Sequence, residues 1–335
     1  MISTNGVAAI NKKNTAICLA IILWAVLVAN LWRFLPPDPD SVRAVSLYTE
    51  ILKETTIVGV GFSSLTTTLG SYAIKRSSEN PLIAALMVSL LKDAGVSSDT
   101  VVAVNASGSF PGFLLAALSA TSALEIETYV IASIGSSTYG ANIPGNTIAD
   151  MLMKDSVRSL GFTLLAVTPG GSGDRGWELD EEELERVSQM LENSGIPFIR
   201  PNNLAEAIAL RGYLFSGTGS ALLVNIGGGH AAIGNDAELA LMSGILKPEP
   251  DKVFQEAGLV QDFLAAGIPV IQILNINRLY ESSGLVFDQS GNLLADGGIL
   301  YRQKQLSPLV TLLPVLVAFI LLAVNRYSRK NKRRG

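Results

Sequence analysis

The chain has 335 residues with 25 basic and 29 acidic side chains, one histidine and one cysteine. The lone Cys18 excludes an internal disulfide framework, and His230 with no cysteine to help it excludes an ordinary zinc site. The formal charge of −4 hides an acidic middle that holds all 29 acidic side chains, which argues against nucleic acid as a partner, and no motif asks for a metal or a cofactor, so none is expected.

Charge and hydropathy are segregated. Lys12, Lys13 and Arg33 lie in the first 34 residues, and Arg326, Arg329, Lys330, Lys332, Arg333 and Arg334 in the last 30; neither end carries an acid. Thr15 to Leu31 is an uncharged run of spanning length with Trp32 at its edge, and Leu306 to Val324 is a second. These runs predict a two-pass cell-membrane protein. Residues 1–14 would be a cytoplasmic N-terminus, 15–34 a transmembrane helix and 35–305 an extracytoplasmic α/β domain. Residues 306–324 would be a second transmembrane helix and 325–335 a basic cytoplasmic tail, since basic flanks stay inside.

Between the ends, helix and strand signals alternate. Pro36 to Pro39 reads as a stiff linker, and Asp40 or Ser41 caps a helix running to about Thr56. Residues 59–71 read as a small-residue loop containing three consecutive threonines, and Lys75 and Arg76 follow it. Asn80-Pro81 opens an apolar helix that ends at Gly95. Val101 to Val104 is a buried-strand run that breaks into Asn105-Ala-Ser-Gly-Ser109, and a helix follows over 113–124. Further strands are expected at 129–134, 163–167, 197–199, 221–225 and 269–274. Helices are expected at 147–160, 180–193, 203–215 and 252–266, with a short one to Ser282. Residues 283–305 carry turn signals. The alternation implies an open, mostly parallel sheet with helices on both faces, and ligands in such folds bind at the carboxyl ends of the strands.

Those strand ends are rich in Ser, Gly and Asn. The Asn105, Ser107, Gly108 and Ser109 loop offers hydroxyls and backbone N–H groups at a helix start, which suits an anion. Its pattern is not the Gly-x-Ser-x-Gly nucleophile elbow, and a capped polar turn is the plainer reading. Ser136, Ser137, Tyr139 and Asn142 end the next strand in the same way. Asn225 followed by Gly227, Gly228 and Gly229 looks like a phosphate or carboxylate cradle, without dinucleotide or P-loop spacing. Lys75, Arg76 and Arg175 are the cations placed to meet carboxylates. Ser107 or Ser109 with His230 as base and Asp174 as its orienting acid would make a hydrolytic triad. The Glu181 to Glu185 run reads as a solvated helix face.

Taken together these residues resemble the bacterial poly-gamma-glutamate system protein family. The matching stretches are Thr66 to Ser71, Lys75-Arg76, Asn80-Pro81, Val104 to Pro111, Ser136 to Asn142, Asp174 to Gly176, and Asn225 to Gly229 with Ala231. The resemblance implies an accessory component of poly-γ-glutamate capsule biosynthesis or export. It would bind the polymer or a glutamyl ligand through the strand-end loops and work beside other membrane proteins of the synthase. Two alternatives stay open: a serine-dependent hydrolase or transferase acting on γ-glutamyl amide bonds, and a structural scaffold for the synthase.

Overall fold

Val101 to Val104 have apolar side chains on alternate sides, and both sides are covered: this run begins the central strand of a parallel sheet with helices packed on each face. The structure is a computed structural model and describes residues 23–24, 36–248 and 258–300. Residues Pro39–Leu300 form one compact unit.

In chain order the unit begins with helix α1 (Pro39–Glu54), strand β1 (Thr66–Thr68) and helices α2 (Tyr72–Ser77) and α3 (Leu82–Asp93). Strand β2 (Val101–Ser107), helix α4 (Pro111–Ala123), and strands β3 (Glu127–Ser133), β4 (Ser136–Ser137), β5 (Asn142–Ile143) and β6 (Asn146–Thr147) follow. Then come α5 (Ile148–Met153), α6 (Asp155–Arg158), β7 (Thr163–Thr168), α7 (Glu181–Glu192), α8 (Leu204–Ser216) and β8 (Leu222–Ile226). The last elements are α9 (His230–Ile233), α10 (Ala237–Leu241), β9 (Gly244–Leu246), α11 (Leu259–Ala265), β10 (Val270–Ile273), α12 (Ile276–Ser283), β11 (Val286–Phe287) and β12 (Leu293–Ala295).

The main sheet has the order β7-β3-β2-β8-β10-β9. Its first five strands are parallel, and β9 adds antiparallel to β10 at one edge. Val102, Val104 and Ala106 face one layer, built from α1, α3 and α4. Ala103 faces the other, where Phe215 of α8 and Leu259, Val260 and Phe263 of α11 pack. Helix α4 is apolar nearly all round and buried nearly all round, because α1 and α3 cover the side that the sheet does not. Helix α1 is the outer layer and buries only Ala44, Tyr48 and Ile51 with Ser41.

The expected mixed α/β architecture with a mostly parallel sheet is therefore present, with local differences. The loop at 59–71 contains β1, which pairs with β4, and the next residues wind into α2, a helix too short to show periodicity. The helix expected at 147–160 is two, broken where Lys154 turns extended with ψ 139°. The run at 197–199 contributes only a bridge from Phe198 to Val167. Residues 283–305 include the antiparallel pair β11–β12.

The two-pass membrane location, with its transmembrane helices and cell-surface placement, is corrected. Among the described residues no helix is long and apolar enough to cross a membrane. The longest, α1, has 16 residues, against the roughly 20 apolar residues a span needs, and its outer side carries charge. The runs at 15–31 and 306–324 fall outside the described residues, apart from Leu23 and Trp24.

Candidate functional site

At the carboxyl ends of β2, β3, β7, β8 and β10 the connecting loops enclose a cleft of about 600 Å³. That is the size of a small-molecule site, at the place where open α/β sheets put one. Gly108 and Gly227 bring the loops this close. A side-chain carbon on Gly108 would collide with the Ile134 carbonyl, and one on Gly227, whose φ is +102°, would collide with the Ser107 hydroxyl.

One wall is a saturated polar network centred on Arg211. Its position on α8 lies four residues from Ala207 and four from Phe215, so it sits on the helix stripe that faces the sheet. Arg211 is 1% exposed. It donates to Asp174 Oδ2 at 2.7 Å, Asn105 Oδ1 at 3.1 Å, Ser133 Oγ at 2.9 Å, Thr168 Oγ1 at 2.8 Å and its own helix at Ala207 O. The chain of amides continues across the sheet. Asn105 Nδ2 donates to Asn225 Oδ1, and Asn225 Nδ2 donates to Gln272 Oε1, each at 2.8 Å. Parallel register brings these about, since Asn105 is opposite Asn225 and Asn225 opposite Gln272.

The other wall is different. Lys75 on α2 is 3% exposed and lines the cleft. Its Nζ donates to the Ser109 carbonyl and lies 3.4 Å from the centre of the Phe110 ring. Among the described residues no carboxylate pairs with it. Burial without a counter-charge pushes its pKa down from 10.5 to about 7. Ser109 links this amine to β4, because Ser137 N–H donates to Ser109 Oγ at 3.0 Å. Ser137 also lines the cleft, is 5% exposed, and its hydroxyl is buried with no hydrogen-bond partner among the described residues. Gly228 and Gly229 line the cleft as well, and their N–H groups meet no acceptor among the described residues.

The residues singled out from sequence divide into three groups. Lys75, Asn105, Ser107, Ser109, Ser137, Asp174, Gly227, Gly228, Gly229 and His230 line the cleft. Gly108, Ser136, Asn142 and Asn225 support it: Ser136 Oγ donates to the Gly108 carbonyl, and Asn142 ties Val60 and Thr66 together. Arg76, Arg175 and Tyr139 lie off it. Arg76 pairs with Glu79, Arg175 stacks on Trp177 at 4.0 Å, and Tyr139 packs edge-on against Tyr72.

The triad geometry is not assembled. Asp174 is engaged by Arg211 and Thr168, and His230 Nδ1 accepts the Gly173 N–H at 3.2 Å. Ser107 Oγ accepts from Ser109 N–H, and no hydrogen bond joins either serine to His230 among the described residues. The Glu181–Glu185 run is only partly a solvated face: Glu183 is buried, holding Gly145 N–H and Arg186. Arg211, Glu178 and Gln272 were not singled out from sequence. For Arg211 a signal existed, as the only basic residue in the apolar run Ala205 to Phe215.

No protein-family model matches the chain, and no curated protein matches it significantly. Among solved structures, O-ureido-L-serine synthase is 13% identical, with 67% of this chain and 75% of that chain covered and a TM-score of 0.21. A hydrogen sulfide-producing enzyme from Fusobacterium nucleatum is 11% identical, with coverage of 77% and 90% and a TM-score of 0.21. A fungal L-serine ammonia-lyase from Rhizomucor miehei is 12% identical, with coverage of 70% and 78% and a TM-score of 0.16. At TM-scores this low the likeness bears on neither reaction nor ligand.

Proposed function

We propose that this protein is an accessory component of poly-γ-glutamate production that binds a glutamyl carboxylate, such as a polymer chain end, in the strand-end cleft. The observation that carries this reading is Lys75: a buried amine lining the cleft with no counter-charge among the described residues, on the same wall as Ser137, to which Ser109 links it. A carboxylate supplies what both groups lack. It pairs with the ammonium, accepts from the hydroxyl and meets the N–H groups of Gly228 and Gly229. The resemblance of the loop sequences to the poly-gamma-glutamate system family supports the choice of glutamate. A cleft of about 600 Å³ suits a chain end rather than a length of polymer. The chain's acidic balance also disfavours a general polyanion sponge, so recognition is local, and contacts with synthase components would bring the polymer to it.

The test is titration of the purified full-length protein with monodisperse γ-linked glutamate oligomers at two salt concentrations, with oligomer length followed in the same samples. Salt-sensitive binding at constant length, lost at least tenfold in Lys75→Met, is the expected result. Equal affinity in Lys75→Met, or no binding at either salt, would overturn it. Shortened oligomers would replace binding with hydrolysis as the function.

A further inference from the structure

Lys75 has a second capability, and it does not depend on the poly-γ-glutamate reading. A lysine held in a cleft with no acid partner among the described residues is a nucleophile as well as an anion receptor, because its neutral form keeps a lone pair while one N–H stays on the Ser109 carbonyl. We propose that Lys75 condenses with the carbonyl carbon of a small anionic aldehyde or keto acid to form an imine in this cleft.

The geometry supports the step from several sides. The side chain is held at both ends, by α2 and by the hydrogen bond from its amine to the Ser109 carbonyl. The cleft reaches solvent along a rim of exposed residues that includes Leu69, Ser172, Gly229 and His230, so a ligand has a way in. Gly228 and Gly229 offer N–H groups for the ligand's anionic group. Ser137 offers a buried, uncommitted hydroxyl at the Lys75 wall. The step balances without an oxidant. The Nζ lone pair forms a C–N bond as the C=O π bond opens, and the oxygen takes a proton. A second proton converts that hydroxyl to leaving water as C=N forms, and the nitrogen gives up its own protons. Net, one carbonyl compound and one amine yield one imine and one water.

The charged and titratable groups around Lys75 are Asp174, Glu178, Arg211 and His230 on the cleft walls, and Arg76 with Glu79 on its own side. Asp174 and Arg211 neutralise each other, and Arg76 is paired with Glu79, which leaves Glu178 and His230 as cleft groups outside those pairs. A pKa near 7 leaves about half of Lys75 neutral at pH 7, whereas an exposed lysine is neutral to only a few parts in ten thousand.

The experiment treats full-length protein at pH 7 with pyridoxal 5′-phosphate, and separately with glyoxylate, then adds borohydride and maps the modified lysines by mass spectrometry. Lys75 is expected to be trapped on the order of a hundredfold faster than exposed Lys53 or half-buried Lys154, with a rate that rises to a plateau just above pH 7. Equal trapping at all three lysines would overturn the proposal, as would selective trapping that climbs steadily to pH 10. Lys75→Arg removes the trapped peptide. Inorganic phosphate at millimolar concentration should slow trapping of the wild type at Lys75 alone, which keeps the test independent of how the variant folds. The two readings fail separately. Selective trapping without binding of glutamate oligomers leaves the imine and removes the polymer ligand; the reverse leaves the carboxylate site and removes the imine.

Discussion

Two buried cations stand at the same edge of the sheet, and they are treated in opposite ways. Arg211 has donors directed to a carboxylate, an amide, two hydroxyls and a carbonyl, and its partners are themselves held by further bonds. Lys75 has one carbonyl and the face of a ring. A buried charge whose every donor is used is part of the frame, because any ligand would have to break the bonds that hold it. A buried charge left short of partners costs the fold stability, and something outside the chain can repay that cost. The difference between the two walls marks which one is a scaffold and which one a receptor.

Breaking the saturated wall should give the largest effect. Arg211→Met leaves Asp174 buried without its partner and strands Asn105, Ser133 and Thr168, so a loss of about 3–5 kcal/mol is expected in urea unfolding. Arg211→Lys should recover little, since an ammonium cannot reach four acceptors spread across three strands and a loop as well as the Ala207 carbonyl of its own helix. Asp174→Asn keeps one accepting oxygen for Arg211, but it turns the other into a donor and leaves the buried guanidinium without its counter-charge, so a loss of about 3 kcal/mol, at the low end of that range, is expected. If Arg211→Met unfolds at the same urea concentration as the parent, the network contributes nothing and the comparison fails.

The unsaturated wall should respond in the opposite direction. The folded-state pKa of Lys75 lies below its unfolded value, so between about pH 7 and 10.5 the unfolded chain binds more protons and stability rises with pH through this group. Below pH 7 the cost of burying the amine is present in full; above 10.5 it has vanished. Lys75→Met should therefore be more stable than the parent at pH 6–7, by about 1–3 kcal/mol after loss of the hydrogen bond to Ser109. That advantage should shrink as pH rises to 10. Taking the difference between the two proteins cancels the other titrating groups. A variant less stable than the parent at every pH would mean that Lys75 is frame, like Arg211. Carboxylate binding should show the matching sign: the ligand restores the ammonium, so titrations above pH 7 take up a proton, and affinity falls as pH rises.

How much of this contrast was legible from sequence depends on periodicity. The valine run of β2 and the apolar runs of β3, β7, β8 and β10 announce buried strands, and the small residues after each announce the loops, so the five parallel strands follow directly; β9, three residues added antiparallel at the edge, is too short to be read. Lys75 and Arg76 looked equivalent because they are adjacent. On a helix, adjacent side chains point about 100° apart, which sends one into the cleft and the other to Glu79. That helix has six residues, too few for a repeat to be read, and so its directions were hidden. Arg211 was hidden for a different reason. It occupies an apolar stripe as leucine would, and only the partners brought together by strand register explain a charge there. Asp174 looked available for His230 because nothing in the linear order ties it to a residue 37 positions away.

The finest form of the comparison rests on two neighbouring serines. Ser136 Oγ shares its one proton between the Gly108 and Ser137 carbonyls, 2.9 Å from each, whereas Ser137 Oγ has no partner among the described residues, although both residues are buried. Ser136→Ala removes the hydroxyl that ties the Gly108 carbonyl of the Ser107–Ser109 loop to β4 and should cost about 1–2 kcal/mol in urea unfolding. Ser137→Ala removes a hydroxyl that the folded chain does not use, so stability should stay within about 0.5 kcal/mol of the parent or rise slightly. Its effect belongs to the ligand, where loss of one hydrogen bond should weaken binding of a γ-glutamyl oligomer roughly three- to tenfold. A Ser137→Ala protein that loses stability and keeps its affinity would reverse the assignment. In that case the Ser137 hydroxyl would be packing rather than a group prepared for a ligand.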